Sequence, residues 1–115
     1  MTIKYDLTIV GGGPGGYVAA IKAAQLGMKV ALFEEDKFGG VCLNWGCIPT
    51  KSLLHSAEFL EEANHFGLDK KDLTKIALDK VVEMSRTASD NLSKGVNSLM
   101  KKNKIDIYKH RAYPK

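Results

Sequence analysis

The sequence lacks any apolar run near 18 residues, which argues against a membrane-spanning helix. It has no secretory signal, no transit-like amino-terminus, no internal repeat and no low-complexity segment. These absences argue against a secreted chain, a membrane protein and a repeat array. We therefore expect a cytoplasmic globular protein that does not associate with a membrane.

Cysteine is also scarce, since Cys42 and Cys47 are the two cysteines of the chain. In a reducing compartment such a pair is more often catalytic than structural. The gap between them is wide for a structural zinc site, and no fourth ligand clusters with the two thiols and His55, so we expect no metal site. An inert buried pair or a structural disulfide is the alternative.

Pro49 follows the second cysteine and suits the first turn of a helix. The amino-terminus of a helix presents unpaired N–H groups and a partial positive charge, which stabilise a thiolate and lower the pKa of the nearer sulfur. The two cysteines are therefore interpreted as a disulfide that opens and closes at the start of a helix.

The chain of 115 residues is at most one domain, and its hydrophobic content of 44% argues against disorder. The formal net charge is +4, and basic residues are concentrated between positions 101 and 115. Lysines at the carboxyl end of a long helix complement the helix dipole. We interpret them as a solvated helix end and expect no nucleic-acid partner.

The amino-terminal part of the sequence has the pattern of a βαβ unit. Residues 3–10 are rich in β-forming side chains and end at glycines, which predicts a buried strand. A helix is predicted to begin near Pro14 and to end before Gly27, which is placed as its carboxyl cap. Residues 29–34 are predicted to form the second strand.

Two helices and a third strand are predicted next, over residues 49–63, 73–103 and 105–109. The longer helix carries an apolar stripe that we expect to pack in the core: Ile76, Val81, Met84, Ala88, Leu92, Val96, Leu99 and Met100. The predicted fold class is therefore α/β: a partial Rossmann-like domain with a parallel βαβ unit followed by two helices and a third strand.

Gly11, Gly13 and Gly16 have the spacing of a dinucleotide-binding fingerprint and lie between the first predicted strand and helix. Such glycines allow a tight turn, close approach of the backbone to a pyrophosphate, and close packing of helix on strand. Glu34 ends the second strand, where a carboxylate accepts hydrogen bonds from ribose hydroxyls and disfavours a 2′-phosphate. The motif favours binding of NAD or FAD over a purely structural turn.

The segment GGVCLNWGCIPTK at residues 39–51, together with residues 11–16, resembles the pyridine nucleotide-disulfide oxidoreductases. Within that family it is most similar to the branch that oxidises dihydrolipoamide, which Leu43, Ile48 and Thr50 fit better than the glutathione or mercuric reductases. The resemblance extends from about residue 5 to about residue 108. In the family, the first glycine motif binds the ADP half of FAD, so the resemblance implies FAD as the cofactor.

The resemblance also implies roles for single residues. Cys42 would exchange with the disulfide of the substrate, Cys47 would lie against the flavin, and Lys51 would approach the reactive edge of the flavin ring. The residues expected to bind the cofactor are Gly11, Gly13, Pro14, Gly15, Gly16, Glu34, Glu35, Gly40 and Lys51.

Four other side chains are interpreted as non-catalytic. Trp45 is expected to pack the loop between the cysteines rather than to contact substrate. His55, His65 and His110 do not match the catalytic histidine of the family, which pairs with a glutamate in the carboxy-terminal domain. Each of the three is therefore expected to be structural or exposed.

By resemblance, residues 1–115 form the amino-terminal part of an FAD-binding domain, without the NAD and interface domains. The implied reaction passes electrons from dihydrolipoamide through a Cys42–Cys47 disulfide to FAD and then to NAD, in a homodimer that serves the lipoyl domains of 2-oxoacid dehydrogenase complexes. The chain alone is not expected to catalyse it. The alternatives are a flavin disulfide reductase of the glutathione or mercuric type, and a non-enzymatic thiol or interaction module.

Overall fold

The fold is a parallel sheet connected by helices, seen in a computed structural model that describes residues 2–73 and 77–115. The described elements, in chain order, are β1 (Leu7–Val10), α1 (Pro14–Gln25), β2 (Val30–Phe33), α2 (Gly40–Asn44), α3 (Cys47–His65), α4 (Lys70–Leu73), α5 (Leu78–Lys102) and β3 (Asp106–Tyr108). The predicted α/β class is confirmed.

The three strands are parallel and lie in the order β1-β2-β3. Leu7 pairs with Val30 in the first ladder, and Ala31 pairs with Asp106 in the second. Among the described strands, β1 therefore has a neighbour on one side only. Because parallel strands end at the same edge, the turns after β1, β2 and β3 lie next to one another, and this edge carries most of the candidate site.

The βαβ unit forms as the sequence predicts. Pro14 is the first residue of α1. A backbone N–H at this position would have no partner within the helix, so proline costs no hydrogen bond there. After α1, Gly27 adopts a φ of +89°, and the N–H of Met28 donates to the carbonyl of Ala23 at 3.1 Å. This glycine ends the helix and directs the chain into β2, so the predicted cap is confirmed.

Several boundaries differ from the prediction, and β1 begins at Leu7 and not at residue 3. The short helix α2 was not predicted, because five residues are too few to show a helical period. Helix α3 begins at Cys47, two residues before Pro49, so this proline lies within its first turn. The long predicted helix is shorter: α5 begins at Leu78, residues 70–73 form the separate α4, and Ile76 lies outside the described residues.

The core lies where β2, α1 and α5 meet. It combines the buried side chains of Ala20, Ala23, Val30, Leu32, Phe38, Leu43, Val96, Met100 and Ile105. Leu32 and Met100 are completely buried, and Leu7, Ile9 and Ile107 pack partly against the same cluster. The two core residues of β2 are separated by one position, as expected when alternate side chains face the same side of a sheet.

The predicted core stripe of α5 is partly wrong. Val96 and Met100 are buried, but Met84, Leu92 and Leu99 are 59%, 44% and 49% exposed. Ser85 and Ser89 are buried in their place. Helix α3 packs beside α5, and Val81 and Met84 line a cavity together with Phe59 and Leu60 of α3.

The molecule is elongated, with extents of 67 × 26 × 18 Å. Its radius of gyration is 19.4 Å, whereas a compact chain of this length would have about 13 Å. The 25 residues of α5 contribute to this length, since such a helix spans about 37 Å. None of the helices that the structure describes combines the length and the apolar character needed to cross a membrane.

Gly16 is expected to tolerate no side chain, because a Cβ there would overlap the carbonyl oxygen of Gly11. This oxygen belongs to the turn backbone and can move only if the turn opens. We expect Gly16→Ala to lower the free energy of unfolding by about 2 kcal/mol, a value typical of overpacking. Urea denaturation followed by circular dichroism measures it.

Gly15→Ala is the matched control. A Cβ at Gly15 has no other atom within 4 Å, and the residue lies in α1. Alanine is therefore expected to stabilise the helix, by up to about 1 kcal/mol. Equal unfolding free energies for the two variants would contradict the close contact between Gly16 and Gly11.

Candidate functional site

Glu34 and the glycine turn after β1 are in direct contact. The carboxylate oxygen Oε2 of Glu34 accepts a hydrogen bond from the N–H of Gly12 at 2.7 Å, and Oε1 accepts one from the N–H of Asp36 at 2.8 Å. A carboxylate has about four acceptor positions, so each oxygen keeps a further lone pair. The structure thus places Glu34 at the glycine turn, where it also anchors that turn.

The space under the glycine turn is filled by Phe38, which is 4% exposed. A Cβ at Gly12 would lie 2.7 Å from Cδ1 of Phe38. The turn therefore requires glycine at a fourth position, beyond the three of the fingerprint. The sequence shows three consecutive glycines, Gly11-Gly12-Gly13. The fingerprint spacing alone does not indicate that the middle one is also required.

The amino-terminus of α1 has free hydrogen-bond donors. The residue before the helix is Gly13, which has no side chain to cap the first turn, and no acidic residue lies in that turn. Gly15 is exposed, and Gly13 and Gly16 are half-buried. Unpaired N–H groups at a helix start suit a pyrophosphate, so these residues fit the dinucleotide that the sequence predicts.

Gly40 joins the glycine turn to the cysteine segment. A Cβ at Gly40 would lie 2.9 Å from Cα of Gly13, so the two backbones are in contact. Gly40 has a φ of +57° and Gly39 a φ of +97°, values that glycine adopts readily. Helix α2 begins at Gly40 and contains Cys42, so the glycine turn and the first thiol lie in adjoining segments.

The two thiols lie in adjoining helices, α2 and α3. Cys42 is half-buried near the start of α2, and Cys47 is exposed as the first residue of α3. The largest cause that raises the pKa of Cys42 above its ordinary value is the interaction of its S–H with the sulfur of Cys47, which favours the protonated thiol, and desolvation adds to it. The charge of Lys51 acts in the opposite direction. The charges and sulfurs of Cys42, Cys47 and Lys51 therefore influence one another.

Helix α5 holds the cysteine segment through side chains that the sequence analysis missed. Ser93 Oγ donates to the carbonyl of Phe38 at 2.7 Å, and Arg86 Nη1 donates to the carbonyl of Asn44 at 2.9 Å. Asn44 is 2% exposed, and its Nδ2 donates to the carbonyls of Phe38 and Gly40 at 3.1 and 2.9 Å. Arg86 and Ser93 are seven residues apart, a helical spacing that could have identified this polar face.

Trp45 does not pack into the loop, so that expectation is wrong. Its side chain is 62% exposed. The guanidinium carbon of Arg86 lies 5.4 Å from the ring centroid, and Lys37 Nζ lies 5.7 Å from it. Two cations within 6 Å of the ring replace the expected apolar neighbours.

The remaining predicted residues lie at the surface. Glu35 is exposed, 4.0 Å from Arg111, and both line a cavity of about 390 Å³ at the carboxyl ends of the strands. This cavity is bounded by Val10, Gly11, Phe33, Glu34, Glu35, His110, Arg111 and Ala112. His55, His65 and His110 are exposed, as expected. Among residues 2–73 and 77–115, no three metal-ligating side chains come together.

The pKa of Cys42 is expected to respond in opposite directions to two substitutions. Cys47→Ala removes the hydrogen bond that raises it, so Cys42 should ionise at lower pH, whereas Lys51→Met removes a cation that lowers it and should move ionisation to higher pH. Rates of iodoacetamide alkylation across pH 6–11 measure both shifts, because the thiolate is the reactive species. Peptide fragmentation in a mass spectrometer separates Cys42 from Cys47. Shifts of the same sign in the two variants would contradict this arrangement.

Comparisons with known families and with known proteins agree on one family. A family model described as pyridine nucleotide-disulphide oxidoreductase matches residues 5–114. A dihydrolipoyl dehydrogenase from Rhizobium etli is 57% identical over 110 residues, and one from Bacillus subtilis is 50% identical over 111 residues. These matches cover 93% and 94% of this chain, which spans 23% of the length of each relative.

A solved structure has the same fold. It is the Cu(II) complex of an HOCl-induced flavoprotein disulfide reductase from Escherichia coli. It superposes with a TM-score of 0.72 at 25% sequence identity, over 90% of this chain and 21% of the reductase. The sheet and helices described here are therefore those of part of a flavoprotein disulfide reductase.

Proposed function

The chain belongs to the pyridine nucleotide-disulphide oxidoreductases, and we propose that its residues 1–115 form the amino-terminal part of an FAD-binding domain of the dihydrolipoyl dehydrogenase type. In this function the cysteine pair accepts two electrons from a dithiol substrate. The observation that carries the proposal is the contact between Gly40 and Gly13, which joins the thiol segment to the predicted pyrophosphate turn. Binding of a dinucleotide and thiol exchange then occur in adjoining segments.

The residues present fit FAD. We assign the pyrophosphate to the free N–H groups at the start of α1, from Gly13 to Gly16, and the ribose hydroxyls to Glu34. Glu35 and Gly11 line the cavity next to Glu34, and Lys51 lies close enough to affect the charge on Cys42. FAD, when bound, supplies an acceptor for two electrons.

The two cysteines divide the exchange reaction between them. In the oxidised chain, a substrate thiolate attacks the sulfur of Cys42, the Cys42–Cys47 bond breaks, and Cys47 leaves as a thiolate. The second substrate thiol then displaces Cys42, so the substrate becomes a disulfide and the chain a dithiol. The charge of Lys51 acts to lower the pKa of Cys42, the sulfur that the second substrate thiol displaces.

Transfer of electrons to NAD is assigned to segments outside these residues, because the sequence holds one dinucleotide fingerprint. The substrate proposed is the dihydrolipoamide of lipoyl domains in 2-oxoacid dehydrogenase complexes, with a homodimer as the active form. This proposal rests on the dihydrolipoyl dehydrogenases among the relatives, of which the chain spans about a quarter, 23%.

Removal of the Glu34 charge is expected to weaken binding of FAD. Glu34→Gln keeps the shape of the side chain but loses the charge-assisted hydrogen bonds, so the dissociation constant should rise about tenfold or more. Titration of the purified chain with FAD, followed by the flavin absorbance that survives desalting, measures it. Glu58→Gln, at an exposed position of α3, is the control and should change binding less than twofold.

Three outcomes decide between the candidate functions. A coloured chain whose cysteines become reduced on addition of dihydrolipoamide supports the proposal. Reduction by glutathione but not by dihydrolipoamide supports the glutathione-type alternative. A chain that binds no FAD at any concentration tested, or equal affinity of Glu34→Gln and parent, contradicts the cofactor assignment.

A further inference from the structure

Arg86 connects the long helix to the middle of the segment between the two cysteines. Its guanidinium donates through Nη1 to the carbonyl of Asn44 at 2.9 Å, and its carbon Cζ lies 5.4 Å from the ring centroid of Trp45. Asn44 and Trp45 are consecutive residues halfway between Cys42 and Cys47. A single side chain therefore contacts both the backbone and the side chain of this segment, across 42 positions of sequence.

Arg86 combines two kinds of contact at a half-buried position. It donates to a backbone carbonyl, and its guanidinium lies over an aromatic ring. Lys37 Nζ also lies 5.7 Å from the centroid of the Trp45 ring, but Lys37 is exposed and pairs with Asp90 at 3.8 Å. A planar guanidinium can donate a hydrogen bond along its edge while its face lies on the ring.

The carbonyl that Arg86 binds belongs to a buried residue. Asn44 is 2% exposed, and its amide nitrogen donates to the carbonyls of Phe38 and Gly40. Asn44 is the last residue of α2, so its side chain connects the end of this helix to its start, and Arg86 binds the same residue at its backbone. The segment from Asn44 to Cys47 therefore starts at a residue that is held by both its side chain and its carbonyl.

We propose that Arg86 is a positioning residue for the cysteine pair: it holds the connecting segment so that the two sulfurs stay in contact in the dithiol, and it thereby favours closure of the disulfide. The inference rests on the redox function proposed above. Closure of this ring orders the residues between the sulfurs, and ordering one residue changes an equilibrium constant by roughly tenfold. A segment that is already ordered by Arg86 loses less freedom when the bond forms.

The effect is mechanical, because Arg86 is not itself among the causes that shift the pKa of Cys42. Its loss acts on Cys42 only through a looser contact with Cys47, the largest cause that raises this pKa. Arg86→Met should therefore lower the equilibrium constant for disulfide closure and move Cys42 alkylation to lower pH by less than Cys47→Ala does. A shift of the opposite sign would overturn the positioning role.

The test uses the full chain equilibrated with reduced and oxidised glutathione. Two S–H bonds of the chain and the S–S bond of glutathione disulfide break, the Cys42–Cys47 bond forms, and two electrons and two protons produce two molecules of glutathione. Acid quenching, alkylation and mass spectrometry give the equilibrium constant. For Arg86→Met we expect a constant about tenfold lower than in the parent chain, which equals a rise of about 30 mV in reduction potential.

Two further variants define the cause. Arg86→Lys keeps the charge but not the planar fork, and it should fall between the parent and Arg86→Met. Lys102→Met removes the same charge from an exposed position at the end of the same helix and should stay within twofold of the parent. If Arg86→Met fails to fold, Trp45→Leu takes its place, because its ring is 62% exposed and rests against Arg86. Trp45→Leu should lower the equilibrium constant for disulfide formation about threefold.

The outcomes separate this inference from the function on which it rests. An equilibrium constant for Arg86→Met, or for Trp45→Leu in its place, within twofold of the parent overturns the role of Arg86 and leaves the redox pair intact. A change equal in Lys102→Met and Arg86→Met also overturns it, since net charge would then be the cause. A parent chain that forms no Cys42–Cys47 disulfide at any glutathione ratio overturns both proposals.

Discussion

The candidate site depends on the close approach of two stretches of backbone, at Gly40 and Gly13. A single added carbon at Gly40 would come within 2.9 Å of the opposite Cα. Because neither residue has a side chain, helix α2 can begin directly against the turn that opens α1. The start of the thiol segment, close to Cys42, is set by this point of contact.

Helix α5 provides a second support for α2. Its contribution is polar: Ser93 donates to the carbonyl of Phe38, before α2, and Arg86 donates to the carbonyl of Asn44, the last residue of α2. The sheet edge thus places the glycine turn, while α5 fixes the segment that carries the sulfurs.

The sequence was sufficient for the features that depend on local pattern. The βαβ unit, the third strand and the Gly27 cap all follow from short-range spacing, and the structure confirms them. It was not sufficient for α2, which is too short to show a period. It also misplaced part of the buried face of α5, where Ser85 and Ser89 are buried while Leu92 and Leu99 are exposed. A stripe of hydrophobic residues does not show which side of a helix its neighbours contact. The contact from Arg86 spans 42 positions, and no local pattern predicts such a pair.

Strand β1 has one neighbour among the described strands, and this has a consequence for how the chain behaves in concentrated solution. The outer edge of Leu7–Val10 presents backbone N–H and C=O groups that another extended peptide can pair with. The strand itself, Leu-Thr-Ile-Val, contains neither charge nor proline, and Val10 is 69% exposed. Lys4 and Asp6 just before it are the charges that oppose aggregation through this edge.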